Sequence, residues 1–188
     1  MCPLYAYYDI PSGFFVDKYQ MKQLSEYHIG NLERLVALDG ETDLEAPIWQ
    51  IYGWGSDMLI QLHDSESGEF EIPLHLRYAE PSNTSSYATY QLAWPAVFRA
   101  CGSQQELSDN PFDTSHSGYE QYFPTNTKFH HILPHDGAKC VDQVEMPTIL
   151  IGQAGIIQYV TLITVTLGFS WILWKISKTP GRTKKKTQ

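Results

Sequence analysis

The stretch IIQYVTLITVTLGFSWILW, residues 156–174, decides the architecture of this chain. It contains no charged side chain, and as an α-helix it would span about 28 Å, close to the thickness of a bilayer's hydrocarbon core. A helix also satisfies its own backbone hydrogen bonds in lipid. Tyr159 lies near one end and Trp171 and Trp174 near the other, as is typical of membrane–water interfaces. We therefore predict a single transmembrane helix over 156–174, preceded by a juxtamembrane segment at 147–155. A buried helix in a soluble core is the weaker alternative, because no other segment is apolar enough to cover it.

Charge is distributed unevenly on the two sides of this helix. Six of the 13 basic residues lie in the tail 175–188, which has no acidic residue. Residues 1–146 hold the other seven together with all 21 acidic side chains, a formal charge of −14. Since basic flanks stay on the cytosolic side of a membrane, we predict a cytosolic tail and a lumenal domain. Binding of nucleic acid by the tail is the less simple interpretation, so no nucleic-acid partner is predicted.

The two ends of the chain bear on localisation. The chain closes on Lys185-Lys186-Thr187-Gln188, which resembles the dilysine retrieval signal of endoplasmic reticulum membrane proteins. Such a signal must face the cytosol, in agreement with the predicted topology. The start, MCPLYAYYDIPSG, shows neither the basic n-region nor the long apolar h-region of a signal peptide. The alternatives are a tail-anchored protein with a cytosolic domain or an incomplete amino terminus, and the charge distribution favours the second.

Residues 1–146 have the length of one domain and the pattern of a mainly β fold. Short alternating segments are separated by turn residues, and Asp17 is suited to cap one short helix, with Gln20 placed as in a capping box. The polar stretch 102–127 is predicted to be a long loop. We expect an antiparallel β-sandwich-like domain, in which 58–63 and 70–78 are joined by the turn between them. The predicted strands are 4–10, 34–38, 58–63, 70–78, 87–94, 96–101, 128–133 and 139–146.

The residues give no catalytic or metal site to name. His131 and His135 have a helical metal-ligand spacing, but Pro134 between them makes that helix unfavourable. His130 and His131 would point to opposite faces of a strand. No G-x-S-x-G motif is present, and no pair of acids stands out for glycoside hydrolysis. We predict neither catalytic residues nor a metal, and no cofactor.

Two kinds of covalent modification are predicted for the domain. Asn83-Thr84-Ser85 is an N-glycosylation acceptor in a Ser-rich turn, and a lumenal location predicts that Asn83 carries a glycan. The three cysteines leave one unpaired. Because Cys101 ends one predicted strand and Cys140 begins another, we predict a Cys101–Cys140 disulfide, with Cys2 left for an upstream partner.

The predicted membrane helix has one side rich in small residues. Thr161, Thr164 and Gly168 lie on that side together with Ala154. Thr164 and Gly168 form a small-x-x-x-small pair, a spacing that lets two helices approach closely in lipid. We predict a contact face there for another transmembrane helix.

Four segments carry a resemblance to a known family. In chain order, these segments are 9–17 (DIPSGFFVD), 43–47 (DLEAP), 72–78 (IPLHLRY) and 94–101 (WPAVFRAC), followed by the single carboxy-terminal anchor. On these segments the chain resembles the PIG-X family of glycosylphosphatidylinositol (GPI) anchor biosynthesis, which is related to a fungal protein of the same role. The resemblance covers most of residues 5–175.

The resemblance implies a function as well as a topology. It implies a single-pass type I protein of the endoplasmic reticulum membrane, acting as a non-catalytic subunit that stabilises the multispanning PIG-M mannosyltransferase. That enzyme transfers the first mannose from dolichol-phosphate-mannose to glucosaminyl-phosphatidylinositol. Taken alone, the residues leave open a membrane-anchored glycan-processing enzyme with a site in Asp and Glu loops, and a tail-anchored adaptor.

Overall fold

The computed structural model describes residues 2–51, 53–64, 69–102, 110–112, 118–134 and 140–178. These residues belong to two compact units. The first unit is formed by Met1–Glu80 and Tyr87–Thr148, and the second by Pro81–Ser86 and Ile149–Gln188.

The first unit is built mainly from antiparallel β-strands. Its described residues form nine strands, one α-helix and three short 3₁₀ helices. The strands are β1 (Leu4–Pro11), β2 (Phe14–Phe15), β3 (Leu32–Gly40), β4 (Gly55–Leu62), β5 (His75–Leu76), β6 (Tyr87–Ala93), β7 (Ala96–Cys101), β8 (Lys128–Ile132) and β9 (Val141–Pro147). The helices are α1 (Lys18–Glu26) and the 3₁₀ helices Ile29–Asn31, Ile48–Gln50 and Tyr119–Tyr122.

One five-stranded sheet forms the centre of this unit. Its strand order is β3-β4-β1-β7-β8, and every neighbouring pair is antiparallel. Two ribbons, β2-β5 and β6-β9, complete the strand pairing of the described residues. The prediction of a mainly β, antiparallel domain with one short helix is therefore confirmed.

The predicted strand 70–78 is only partly formed, and the described strand within it does not pair with the strand that precedes the turn. Both edges of β4 are already occupied, by β1 and by β3. Within 70–78 only His75–Leu76 is a strand, and it pairs with β2. Pro73 lies in this segment and has no N–H to donate to a sheet, which disfavours a long strand there.

The two faces of the central sheet bury different side chains, because successive residues of a strand point to opposite sides. Tyr8 and Ile10 face one side, where they pack with Met58, Ile60 and Met21 of α1. The other side carries an aromatic cluster of Tyr5, Tyr7, Leu59, Phe98, Ala100, Phe112 and Tyr119. The last two belong to the predicted loop 102–127, so the described part of that loop contributes to the core.

Helix α1 begins as the sequence predicts. The Asp17 Oδ1 atom accepts a hydrogen bond from the Tyr19 N–H at 2.8 Å, which confirms the N-cap. Met21 is fully buried beneath the helix. The reciprocal bond of a capping box is replaced by another contact, since Gln20 Oε1 lies 2.7 Å from His75 Nε2.

The second unit consists of a long helix and a short segment beside its start. Helix α2 (Ile151–Lys178) has 28 residues, none of them buried, and would be about 42 Å long. It is long and apolar enough to cross a membrane. The segment 81–86 lies beside its first residues, with the Ser82 N–H donating to the Ile149 carbonyl and the Ile151 N–H donating to the Ser82 carbonyl, each at 3.0 Å.

Candidate interaction surface

A buried arginine, Arg77, ties three separate segments together. Its side chain is only 3% exposed. The Nη1 atom donates to the carbonyl oxygen of Ala46 at 2.8 Å and also to that of Asp43. The guanidinium carbon lies 4.9 Å from the centre of the Phe15 ring, in a cation–π arrangement. Arg77 thus joins the segments 9–17, 43–47 and 72–78, which carry three of the four family signatures.

The backbone around Arg77 fixes which side chains face outward. The Arg77 N–H donates to the Gly13 carbonyl at 2.9 Å, which extends the pairing of β5 with β2 by one bond. In such an extended stretch the neighbours of an inward side chain point out. Leu76 and Tyr78 are accordingly 44% and 79% exposed.

The segment held by Arg77 presents two further large apolar side chains. The Ile48 N–H donates to the Tyr78 carbonyl at 3.2 Å, which anchors the start of the Ile48–Gln50 turn. Leu44, next to Asp43, is 39% exposed, and Trp49, next to Ile48, is 50% exposed. We call the four side chains Leu44, Trp49, Leu76 and Tyr78 the Arg77 patch, because each belongs to a residue that is bonded to this junction or adjacent to one that is.

Acidic residues border the Arg77 patch. Glu41 Oε1 accepts from the Asp43 N–H and Asp43 Oδ1 accepts from the Glu45 N–H, each at 2.9 Å, so the carboxylates brace their own loop. Burial lowers the pKa of Arg77, while the charges of Glu41 and Asp43 raise it. Arginine stays protonated in proteins, so the guanidinium remains a cation. The guanidinium is buried, however, so the carboxylates of Glu41 and Asp43 are the charges of this surface that face solvent.

Residue-by-residue reasoning did not find this junction. Arg77 binds main-chain carbonyls, and a carbonyl acceptor leaves no trace in residue type. The available signal was a lone arginine between apolar neighbours in the alternating run His75-Leu76-Arg77-Tyr78. In the sequence that run is distinctive only as part of the family resemblance.

The predicted disulfide is wrong in its pairing. The Cys101 sulfur is bonded to that of Cys2, at 2.03 Å, and not to Cys140. The reason is strand order: β1 and β7 are neighbours in the sheet, with Leu4 opposite Arg99, so Cys2 meets the end of β7. Cys140 is exposed and precedes β9, which pairs with β6 in a separate ribbon. Cys2 is therefore not left for an upstream partner.

An ion pair braces the same corner of the domain. The Arg99 guanidinium donates to both carboxylate oxygens of Asp64 at 2.9 Å, and to the Cys2 carbonyl at 3.0 Å. The hydrogen bonds from Arg99 hold the pKa of Asp64 below its usual range. This arrangement fixes the start of β1 against β7 beside the disulfide.

The remaining predicted sites fall in the second unit. Asn83 is exposed, in a turn where Ser82 Oγ accepts from the Thr84 and Ser85 N–H groups at 3.2 Å. Its glycosylation stays a prediction. Lys185 and Lys186 lie outside the described residues.

The predicted contact face on α2 is exposed along its length. Thr161, Thr164 and Gly168 are all solvent-facing in the unit. The Thr164 hydroxyl donates to the Val160 carbonyl at 2.8 Å, so it already has an acceptor within the helix. A Cβ placed on Gly168 would meet nothing within 4 Å. The face is open to its surroundings, and its use as a contact stays a prediction.

Acidic residues do converge in the domain, in a row of which only the central member is buried, while Asp9 is exposed and Asp39 half-buried. Asp39, Asp57 and Asp9 lie side by side on β3, β4 and β1. Asp57 is 0% exposed, so a glycan in solution would not reach its carboxylate. Burial raises the pKa of Tyr7, and the neighbouring Asp57 raises it further.

Among the described residues no group of three or more His, Cys, Asp or Glu side chains could hold a metal ion, and His135 lies outside them.

Together these features define a β-rich domain with an exposed apolar patch, in a chain that also carries an apolar helix of membrane-spanning length. The chain belongs to the PIG-X / PBN1 family, whose family model matches residues 1–177.

Three curated relatives of this chain are fungal proteins. The chain is 37% identical over 195 residues to protein pbn1 of Emericella nidulans, which covers 93% of this chain and 37% of that protein. It is 38% identical over 191 residues to protein pbn1 of Aspergillus oryzae, covering 93% and 35%. With protein PBN1 of Gibberella zeae the identity is 36% over 182 residues, covering 93% and 37%. The chain thus spans little more than a third of the length of these relatives. No solved structure matches it.

Proposed function

We propose that this chain is a non-catalytic stabilising subunit of GPI mannosyltransferase I in the endoplasmic reticulum membrane. Its partner is a PIG-M-like multispanning catalytic subunit, which adds the first mannose in GPI-anchor biosynthesis. The observation that carries this proposal is the family match over residues 1–177. That match includes the whole β-rich unit and all but the last residue of α2.

The composition of α2 supports a membrane-embedded subunit with a cytosolic tail. The helix ends in a Trp-Lys cluster, where Lys178 Nζ lies 4.6 Å from the Trp174 ring and Lys175 Nζ 5.4 Å from it. Aromatic rings and basic side chains favour the headgroup region, and basic residues favour the cytosolic leaflet. This supports a single-pass type I topology with the acidic domain in the lumen.

A stabilising role has a simple physical basis. A protein that binds the folded form of its partner, and not the unfolded form, shifts the partner's folding equilibrium by mass action. The burial of Asp57 excludes that carboxylate, the central one of the acidic row, from acting directly on a glycan. The exposed apolar patch instead suits a binding role.

The function is tested in cells from which this protein has been removed. We expect the amount of catalytic subunit and the amount of GPI-anchored protein at the cell surface both to fall. Both should recover when the wild-type protein is restored. Isolated membranes should recover transfer of mannose from dolichol-phosphate-mannose to glucosaminyl-phosphatidylinositol in parallel. Mannose transfer by the purified chain alone would instead identify an enzyme.

Topology is tested on sealed microsomes. Added protease should remove a tag placed after Gln188 and leave the β-rich domain intact. Glycosidase treatment should remove a glycan from the protected protein and so change its mobility on a gel. Asn83→Gln should abolish that change. A protected tag with a digested domain would establish the tail-anchored topology and refute the type I proposal.

A further inference from the structure

We propose that the Arg77 patch is the docking site for a basic, apolar-bearing lumenal loop of the catalytic subunit. The inference rests on the proposed function and adds a surface and a partner chemistry to it.

The patch has the composition of an interface core. It presents one tryptophan, one tyrosine and two leucines, exposed by between 39% and 79%. Tryptophan and tyrosine are the residues on which binding energy most often concentrates. Exposed apolar side chains that occur singly need no explanation, but here four are presented by two segments bonded to each other.

The patch is also held in place before any partner arrives. Arg77 fixes the carbonyls of Asp43 and Ala46, and the Tyr78 carbonyl fixes Ile48. The aromatic ring beneath the guanidinium, Phe15, stacks at 5.1 Å on His75, whose imidazole contacts Gln20 of α1. A surface ordered in advance loses less conformational entropy on binding, which favours affinity.

Charge decides the chemistry of the partner. Glu41, Asp43 and Glu45 border the patch, and the neighbouring cation, Arg77, is buried. These three acids belong to residues 1–146, which carry a formal charge of −14 from seven basic and 21 acidic side chains. A loop carrying lysine or arginine next to apolar residues is complementary to this surface, whereas an acidic loop would be repelled.

The test uses full-length protein co-expressed with the tagged catalytic subunit and purified in mild detergent. Trp49→Ser/Tyr78→Ser removes the two most prominent aromatic groups and should lower the co-purified catalytic subunit by about tenfold or more. Tyr27→Ser/Leu133→Ser is the matched control, because these side chains are 72% and 82% exposed and belong to other segments of the chain. It should co-purify as the wild type does.

A second pair of variants tests the charge argument. Asp43→Asn/Glu45→Gln keeps the side-chain acceptor at Asp43 and removes two negative charges from the rim. It should reduce co-purification about threefold at low salt, and less at high salt, where charges are screened. Glu26→Gln/Glu145→Gln removes the same charge from exposed positions elsewhere and should change nothing. Thermal unfolding of each purified variant confirms that the domain remains folded.

Photo-crosslinking identifies what contacts the patch. A benzophenone side chain in place of Tyr78 should crosslink to a catalytic-subunit peptide with a net positive charge, and one in place of Tyr27 should not. A crosslink to an acidic peptide would overturn the inference. The inference would also be overturned if the patch variants co-purified with the catalytic subunit as well as the wild type does. In that case the proposed function would stand. If the wild type itself fails to co-purify, the proposed function is refuted along with the docking site.

Discussion

The two units of this protein differ in whether their apolar side chains are buried. The β-rich unit buries apolar side chains on both faces of its sheet, while no residue of α2 is buried. The stability of the first is therefore internal, and the second depends on whatever surrounds it, either lipid or another helix. Damage to the domain should therefore appear as unfolding, and damage to the helix only as lost assembly.

Gly55→Ala should break the domain most severely. Gly55 has a φ of +120° at the start of β4, and an added Cβ would lie 2.2 Å from the Ile10 carbonyl oxygen. The β1–β4 pairing would have to separate, so we expect a loss of about 5 kcal/mol in the free energy of unfolding, measured by urea denaturation.

Gly53→Ala is the matched control for this substitution. Gly53 has a φ of +132°, yet an added Cβ would meet nothing within 4 Å. It should lose only the backbone strain, about 1 to 2 kcal/mol. Equal losses in the two variants would show that the close approach at Gly55 is not what matters.

Cys2→Ser should have the next largest effect on the domain. The bond from Cys2 to Cys101 spans a sequence separation of 99 residues. In the chain-entropy account a loop of about 100 residues contributes about 4.7 kcal/mol, and measured contributions are typically smaller, so we expect a loss of about 3 to 4 kcal/mol in unfolding free energy. Cys140→Ser, at an exposed position, should cost less than about 1 kcal/mol. Peptide mapping without reduction checks the pairing, and recovery of a Cys101–Cys140 peptide would contradict it.

The disulfide also shows where prediction from sequence ends. Alternation within β1 and β6 was enough to place those strands, and Asp17 was enough to place the start of α1. The pairing of Cys2 with Cys101 depends on β1 and β7 being neighbours, which no local pattern records. The same holds for Arg77, because its acceptors are carbonyl groups of a distant segment. Strand and helix positions could be predicted from local residue patterns, whereas contacts between distant segments could not.

Arg77→Met should have an intermediate effect, confined to one part of the domain. Methionine keeps much of the side-chain volume and loses the bonds to Asp43 and Ala46, so we expect about 2 kcal/mol less stability. Hydrogen exchange should rise in the segment 41–50 more than in the central sheet. Arg34→Met, at an exposed arginine on β3, is the control and should leave exchange in 41–50 unchanged.

The substitution of Thr161, Thr164 and Gly168 by leucine should leave the domain intact. The unfolding free energy of the β-rich unit should change by less than about 0.5 kcal/mol, since these exposed residues belong to the other unit. Larger side chains would prevent close helix packing. An interaction between membrane helices contributes roughly 0.6 kcal/mol, so the amount of catalytic subunit in the cell should fall two- to threefold. Replacing all of α2 by an unrelated helix of equal length is the parallel variant. If both proteins restore the partner fully, the helix is only a tether.

The most direct test of the central claim is the half-life of the catalytic subunit, measured by pulse-chase in cells lacking this protein. Restoring the wild type should lengthen that half-life severalfold, without changing the rate at which the catalytic subunit is synthesised. Trp49→Ser/Tyr78→Ser should fail to lengthen it, although the variant domain is folded. An unchanged half-life on restoring the wild type would contradict the account, because a subunit that does not prolong its partner's lifetime is not a stabilising subunit.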